Sequence, residues 1–215
     1  VPVFAALFDF DGTLADSFAA ITASTNFVRG EYGLPALTEA EVKGYVGFGL
    51  EHLLRQLVPP ADPGDAVRAY RVHHETVARA MTTLLPGVGE TTAELLRRRY
   101  KLAVCSNKAV RFTKELVAHL FPAGTFAEVL GPEHVIAPKP NPAMLLEGCR
   151  RLKVSEKNAV YVGDMSVDVE AARRAGLPVW LVPGGAAGTD AAAAAGPDRV
   201  LTSFAEILDL LPPIG

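Results

Sequence analysis

Asp9 and Asp11 stand two residues apart at the end of an apolar run, with Gly12, Thr13 and Asp16 close behind. A second polar group, Ser106, Asn107 and Lys108, follows the apolar run that ends at Cys105. Lys139 lies between Pro138 and Pro140, and Asp164 and Asp168 follow the apolar run that ends at Val162. Taken singly, each has a plain reading: a turn at Asp9–Gly12, a helix N-cap at Ser106 or Asn107, a solvated lysine, and acids that satisfy a helix N-terminus. Taken as a set at the ends of adjacent strands, they read as a site.

The chemistry available to such a set is specific. Two carboxylates brought together, Asp9 and Asp164, repel unless a hard divalent cation sits between them, and Mg2+ favours one or two carboxylates, waters and a phosphate oxygen. Lys139, the Ser106 hydroxyl and nearby backbone N–H groups can neutralise further phosphate oxygens. Asp9 can attack phosphorus and form an aspartyl-phosphate. Asp11 can protonate the leaving oxygen and then activate water.

Elements must carry these residues to one place. Residues 3–8 are continuously apolar, as a strand buried on both faces of a parallel sheet requires. Residues 102–105, 126–130, 159–162 and 179–182 read as further strands, and 90–99, 112–120, 141–152 and 167–175 as helices between them. Asn141 with Pro142 gives an N-cap and N1 signal, and Gly176 closes its helix. Ser203 and Glu206 have capping-box spacing before a last helix. Residues 184–196, rich in Gly and Ala, read as a loop with a weak helical piece; Gly184, Gly185 and Gly188 lack the Lys-Ser/Thr of a phosphate-binding P-loop. This alternation predicts an α/β fold, a doubly wound, Rossmann-like parallel sheet, with ligands at the carboxyl ends of its strands.

The alternation is interrupted over residues 16–83, where only helical periodicity is seen. Thr38 and Glu41 have capping-box spacing; Leu50, Leu53, Leu54 and Leu57 form one stripe; Asp62, Pro63 and Gly64 mark a turn before a helix over 65–81. The segment reads as an inserted helical domain, leaving 1–15 and 84–215 as one discontinuous sheet domain. Gly47, Phe48 and Gly49 break the helical pattern and serve either as a plain turn or as a substrate loop. His73, His74 and Glu75 suggest zinc, but adjacent histidines leave a helix in different directions and no third ligand is suitably spaced, so a solvated helix is the expectation.

Composition closes several alternatives. The chain has 215 residues, 21 Lys plus Arg and 24 Asp plus Glu, for a net charge of −3. No basic footprint for nucleic acid is present. The longest opening apolar run is too short to span a membrane, and no signal-peptide pattern precedes it. Cys105 and Cys149, the two cysteines, form no metal or disulfide motif and read as small apolar residues in a reducing, cytoplasmic setting.

The run Asp9-Phe-Asp-Gly-Thr-Leu-Ala-Asp-Ser17 resembles the first motif of the haloacid dehalogenase superfamily. Residues 104–108 are similar to its second motif, 137–140 to its third and 162–168 to its fourth, in family order. The resemblance implies a nucleophile and metal ligand at Asp9, a general acid/base at Asp11 that also offers its backbone carbonyl to Mg2+, and a second metal carboxylate at Asp164. It implies Asp168 behind the metal waters or Lys139, phosphate binding by Ser106, Asn107, Thr13 and Gly12, with Thr13 also ordering its loop, and a helical C1 cap over 16–83. Dehalogenase relatives carry Tyr at the position of Asp11 and phosphonoacetaldehyde hydrolases Ala, so the acid here implies phosphate-ester chemistry. Residues 45–54 resemble the specificity loop of phosphoglycolate phosphatases. The expectation is therefore a Mg2+-dependent phosphatase acting on a small phosphorylated metabolite, phosphoglycolate first, as a monomer or homodimer. Gly47, Phe48, Gly49, Lys43 and Arg55 are the candidates to meet the leaving group. A sugar phosphomutase, for which His52 is the cap candidate, and a non-catalytic protein on the same scaffold are the alternatives.

Overall fold

The computed structural model describes residues 3–183, 185–186 and 193–214. Six strands form one parallel sheet in the order β5–β4–β1–β6–β7–β8. They are β1 (Ala5–Phe8), β4 (Lys101–Cys105), β5 (Glu128–Leu130), β6 (Ala159–Gly163), β7 (Val179–Leu181) and β8 (Arg199–Val200). β1 is central and the chain winds outward from it in both directions, as a doubly wound sheet does.

Period-2 alternation explains why the central strands β1 and β6, and β4 after Lys101, are apolar. Ala6 and Phe8 of β1, Leu102 and Val104 of β4, and Val160 and Val162 of β6 enter one core layer. That layer is closed by α5 (Val88–Arg97) and α6 (Val110–Leu120). Ala5, Leu7, Ala103, Cys105, Ala159 and Tyr161 enter the other, under α7 (Ala143–Leu152) and α8 (Ser166–Ala175). Both faces are covered, so neither tolerates a polar residue until the strand ends.

Between β1 and α5 the chain leaves and re-enters the sheet region through two paired strands, β2 (Ala15–Asp16) and β3 (Thr83–Leu84), antiparallel with Ala15 opposite Leu84. Four helices lie between them: α1 (Phe18–Glu31), α2 (Glu39–Lys43), α3 (Leu50–Leu57) and α4 (Pro63–Val77). They bury their own cluster, which includes Ile21, Val28, Leu53, Leu54, Leu57, Ala66 and Tyr70. The leucine stripe of α3 thus faces inward.

Several local expectations change. β2, β3 and β8 have two residues each, too few for any hydrophobic period to register. α4 begins at Pro63 because Asp62 is an N-cap, its Oδ1 accepting from Gly64 N and Asp65 N, and Pro suits the first helical position. The Thr38–Glu41 capping box forms, with Glu41 Oε2 accepting from Thr38 N at 2.7 Å. The Ser203–Glu206 box does not: Glu206 accepts from Thr202 N and Oγ1 and pairs with Arg199, over a single 3-10 turn. The loop expected over 184–196 lies largely outside the described residues.

Candidate active site

Asp9, Ser106 and Asp164 follow the last residues of β1, β4 and β6, so three adjacent strands deliver them to one edge of the sheet. Asp9, Thr13, Ser106, Asn107, Lys139, Asp164 and Asp168 are all buried. Gly12 turns the chain after β1 with φ +82°, and a Cβ there would stand 2.4 Å from Asp164 Oδ2, so a glycine is required.

Asp9, Asp164 and Asp168 each offer a carboxylate oxygen within 4.8 Å of the others. Their partners separate their roles. Asp168 is saturated: Oδ2 accepts from Asp164 N at 3.1 Å and Met165 N at 3.0 Å, and Oδ1 accepts from Lys139 Nζ at 2.7 Å and Tyr161 OH at 3.2 Å. Lys139 Nζ also donates to Tyr161 OH at 2.7 Å and lies 3.1 Å from Asp9 Oδ1. Asp164 accepts from Thr13 Oγ1 at 3.3 Å and Ala186 N at 2.6 Å. Asp9 Oδ1 is buried without an aligned hydrogen-bond donor among the described residues.

Three buried carboxylates against one ammonium leave this cluster two negative charges in excess when all are ionised. The acids respond accordingly. Burial pushes Asp9 up to about 6, Lys139 pulling it down and Asp168 pushing it up further. Burial, with Asp168 and Asp9 alongside, holds Asp164 well above the usual carboxylate range. Burial alone would lower Lys139, but Asp168 and Asp9 outweigh it and keep the amine protonated. Carboxylate oxygens of Asp9 and Asp164, close together in a pocket that stays over-negative with Lys139 counted, fit a hard divalent cation.

Asp11 lies on the other side of Asp9. Its carboxylate accepts from Ser17 Oγ and from Lys108 Nζ, at 3.2 and 3.4 Å, in a nearly buried ion pair. Ser106 Oγ accepts from Lys108 N at 3.3 Å.

Beside these residues a cavity opens between the sheet edge and the α1–α4 helices. Asp9, Asp11, Ser106, Asn107 and Lys108 line it from below; Ile21, Val46, Gly47, Gly49, Leu50, Leu53, Tyr70 and His74 line it from the helices. Asn107 joins the two halves: its Nδ2 donates to Gly47 O at 2.9 Å and Lys139 O at 2.8 Å, and its Oδ1 accepts from Lys139 N at 2.8 Å. The Asn107 carboxamide is thus occupied by backbone, and the Thr13 hydroxyl by Asp164, where phosphate contacts were expected.

The candidates on the helical side divide. Gly47 and Gly49 line the cavity. Phe48 is part-exposed against His52, ring centroids 5.2 Å apart, and neither reaches the cavity. Lys43 places Nζ 4.4 Å over the Phe18 ring and is not a lining residue. Arg55 borders a separate hollow with Glu51 and Pro59, on the outer side of α3, so it does not face the leaving group.

Three residues enter the site unassigned by sequence reasoning. Lys108 is the one lysine or arginine lining the cavity among the described residues, and its place beside Ser106 and Asn107 was the available signal. Tyr161, fully buried, accepts from Lys139 and has its one hydroxyl hydrogen within reach of Cys105 O at 2.9 Å and of Asp168 Oδ1 at 3.2 Å. His74, expected to be solvated, is 1% exposed. The signal was spacing: Ala66, Tyr70 and His74 recur every four residues and form the buried face of α4.

The family model for "Haloacid dehalogenase-like hydrolase" matches residues 6–182. A plasmid phosphoglycolate phosphatase of Cupriavidus necator is 37% identical over 99% of this chain and 95% of its own. A solved structure of a predicted phosphoglycolate phosphatase from Haemophilus somnus superposes with TM-score 0.88 at 26% identity, covering 98% of both chains. CbbY of Rhodobacter sphaeroides, solved in complex with phosphate, superposes with TM-score 0.81 at 26% identity over 96% of both.

Proposed function

The chain belongs to the haloacid dehalogenase-like hydrolases, as an enzyme of phosphomonoesters, and on that premise we propose a Mg2+-dependent phosphatase that hydrolyses a small phosphomonoester, phosphoglycolate in the first instance, through an aspartyl-phosphate. The observation that carries the reading is the under-bonded, buried Asp9 oxygen beside both Asp164 and Lys139. The name of the Cupriavidus relative supports the substrate.

Asp9 and Asp164 would hold Mg2+, with the Asp11 carbonyl. Bound there, the ion would balance the excess carboxylate charge and withdraw electron density from a phosphate oxygen. Asp168 positions: it fixes Lys139 and the backbone after β6, so that the Lys139 ammonium stands 3.1 Å from Asp9 and its charge faces the phosphoryl group. Ser106 accepts from Lys108 N, which leaves its own hydrogen for Asp9 or a phosphate oxygen. A carboxylate oxygen of Asp9 attacks phosphorus as the ester oxygen departs. That oxygen takes the proton that Asp11 carries when it enters the reaction as the carboxylic acid, and the Asp11 carboxylate so formed then takes a proton from the water that hydrolyses the aspartyl-phosphate.

We read residues 16–83 as a cap over 1–15 and 84–215. The β2–β3 pair at its two ends and its separate core support that division. The Asn107–Gly47 bond would hold the cap against the sheet edge and exclude bulk water. Two buried, free thiols are in keeping with a cytoplasmic setting; among the described residues no helix is long and apolar enough to cross a membrane.

The test is Asp9→Asn. Burst kinetics and phosphate release from phosphoglycolate with Mg2+ should show turnover reduced by about four orders of magnitude or more, while circular dichroism remains native. Ordinary turnover by this variant removes Asp9 from the nucleophile's place. Isomerised sugar phosphate in place of released phosphate supports the mutase reading instead.

A further inference from the structure

We infer that His74 and Lys108 form the subsite for the non-phosphoryl end of the substrate, and that this end is a carboxylate. The inference rests on the phosphatase reading above and names the substrate class of the same site. His74 is held on three sides. Tyr70 stacks on it at 5.1 Å, Phe112 meets it edge-on at 5.0 Å, and Ser24 Oγ lies 3.0 Å from Nδ1. Its Nε2 is buried with no hydrogen-bond partner among the described residues, and the residue lines the cavity. A buried polar atom in that state is costly unless something arrives to meet it.

The position fits a short acid. Lys108 Nζ is 3.2 Å from Asp11, the proposed donor to the leaving oxygen. In a two-carbon acid the carboxyl carbon is two bonds from that oxygen, so a carboxylate comes next to the Lys108 ammonium as soon as the ester oxygen meets Asp11. Lys108 then meets one oxygen of the substrate carboxylate, and a second carboxylate oxygen is left for His74 Nε2.

Ser24 supplies the means for neutral His74 to donate. Its Oγ is 3.0 Å from Ala20 O, 3.0 Å from His74 Nδ1 and 3.2 Å from His73 Nδ1, so its one hydrogen can serve any of the three. With the hydrogen on the His74 Nδ1 side, the ring carries its own proton on Nε2 and gives a hydrogen bond without taking up charge. Burial and the nearby Lys108 push His74 down to about 3, in keeping with a ring that binds as a neutral donor.

The experiment compares phosphoglycolate with ethyl phosphate, which has the same chain length and no carboxylate, in the wild type, His74→Phe and His74→Gln. The wild type should prefer phosphoglycolate in kcat/KM. In His74→Phe, whose ring preserves the packing against Tyr70 and Phe112, KM for phosphoglycolate should rise roughly 10- to 100-fold, with ethyl phosphate changed less than about threefold. His74→Gln, which keeps a donor at the end of the side chain, should recover part of the loss. Equal changes on both substrates assign His74 a structural role and overturn the subsite. A wild type that hydrolyses ethyl phosphate as well as phosphoglycolate overturns it too, while leaving the phosphatase reading intact. No turnover of either ester, or of an aryl phosphate, removes both.

Discussion

Asp9 is the strongest point of contact between structure and measurement, because its burial links metal, pH and stability. Its carboxyl is pushed from 3.8 to about 6, chiefly by burial, against the pull of Lys139. Between those two values the native state binds more protons than the unfolded chain, so stability falls as pH rises through the window. The Asp9 contribution is complete below about pH 4 and lost above about pH 6. Two units at about 1.4 kcal/mol each give ~3 kcal/mol, and for a chain of this size that is about 6–12 °C in melting temperature. Asp164 is raised in the same direction and adds to it. Glu147 and Glu206, both lowered to about 2 by their hydrogen bonds, have the opposite sign: their contribution is lost as pH falls towards that value. The useful quantity is therefore a difference that cancels them. Thermal unfolding is followed from near pH 4 to near pH 7.5, with EDTA or with millimolar Mg2+. The cation binds ionised carboxylates in the native state, so its stabilisation should be small near pH 4 and about 10 °C near pH 7.5, in line with the size scaling above. Asp9→Asn has no charge to bury. In EDTA near neutral pH it should melt above the wild type and gain less from Mg2+. Equal Mg2+ stabilisation at both pH values, or an Asp9→Asn protein that melts below the wild type in EDTA at neutral pH, would refute the reasoning.

Two further substitutions test the supports of the site. Gly47 has φ +103°, and a Cβ there would stand 2.4 Å from Met165 Sδ; Gly47→Ala should cost about 1–3 kcal/mol in denaturant unfolding, displace the loop from Asn107, and lower kcat/KM by about tenfold or more through misplacement. Tyr161→Phe keeps the buried ring but removes the acceptor for Lys139 and the donor to Cys105 O. It should cost about 1–3 kcal/mol, and kcat for phosphoglycolate should fall more than KM rises, as expected if Lys139 is less well fixed in the transition state; an unchanged kcat denies Tyr161 a positioning role.

The arrival of Asp9, Ser106 and Asp164 at one sheet edge was legible in the sequence for a physical reason. A parallel strand covered on both faces must be apolar until it ends, so the first polar residue after each run marks the carboxyl edge where ligands bind. What each polar atom bonds to is not written in residue order. Asn107 and Thr13 have the types and places of phosphate ligands, and in this structure their side chains bond Lys139, Gly47 and Asp164. Lys43 and Arg55 were expected on charge alone, and α2 and α3 carry them outside the cavity wall. His74 was misread because the doublet with His73 drew attention to residue type, while the four-residue spacing with Ala66 and Tyr70 recorded which face of α4 is buried.

Net charge misleads in a related way. A value of −3 over the chain looks unsuited to an anionic substrate. The interior distributes that charge unevenly. Asp9, Asp164 and Asp168 share only Lys139, whereas Asp11 has Lys108. The first group has an unmet demand for positive charge, and the second is neutral until a substrate carboxylate divides the lysine's attention. On the function proposed here, the two halves take different ends of one small molecule: a phosphoryl group with a cation at Asp9 and Asp164, and an acid at Lys108 and His74. On that reading, a protein acidic overall binds a dianion because its excess acid is buried where a cation can answer it, and because Lys108, the one lysine lining the cavity among the described residues, stands on the far side of the leaving oxygen.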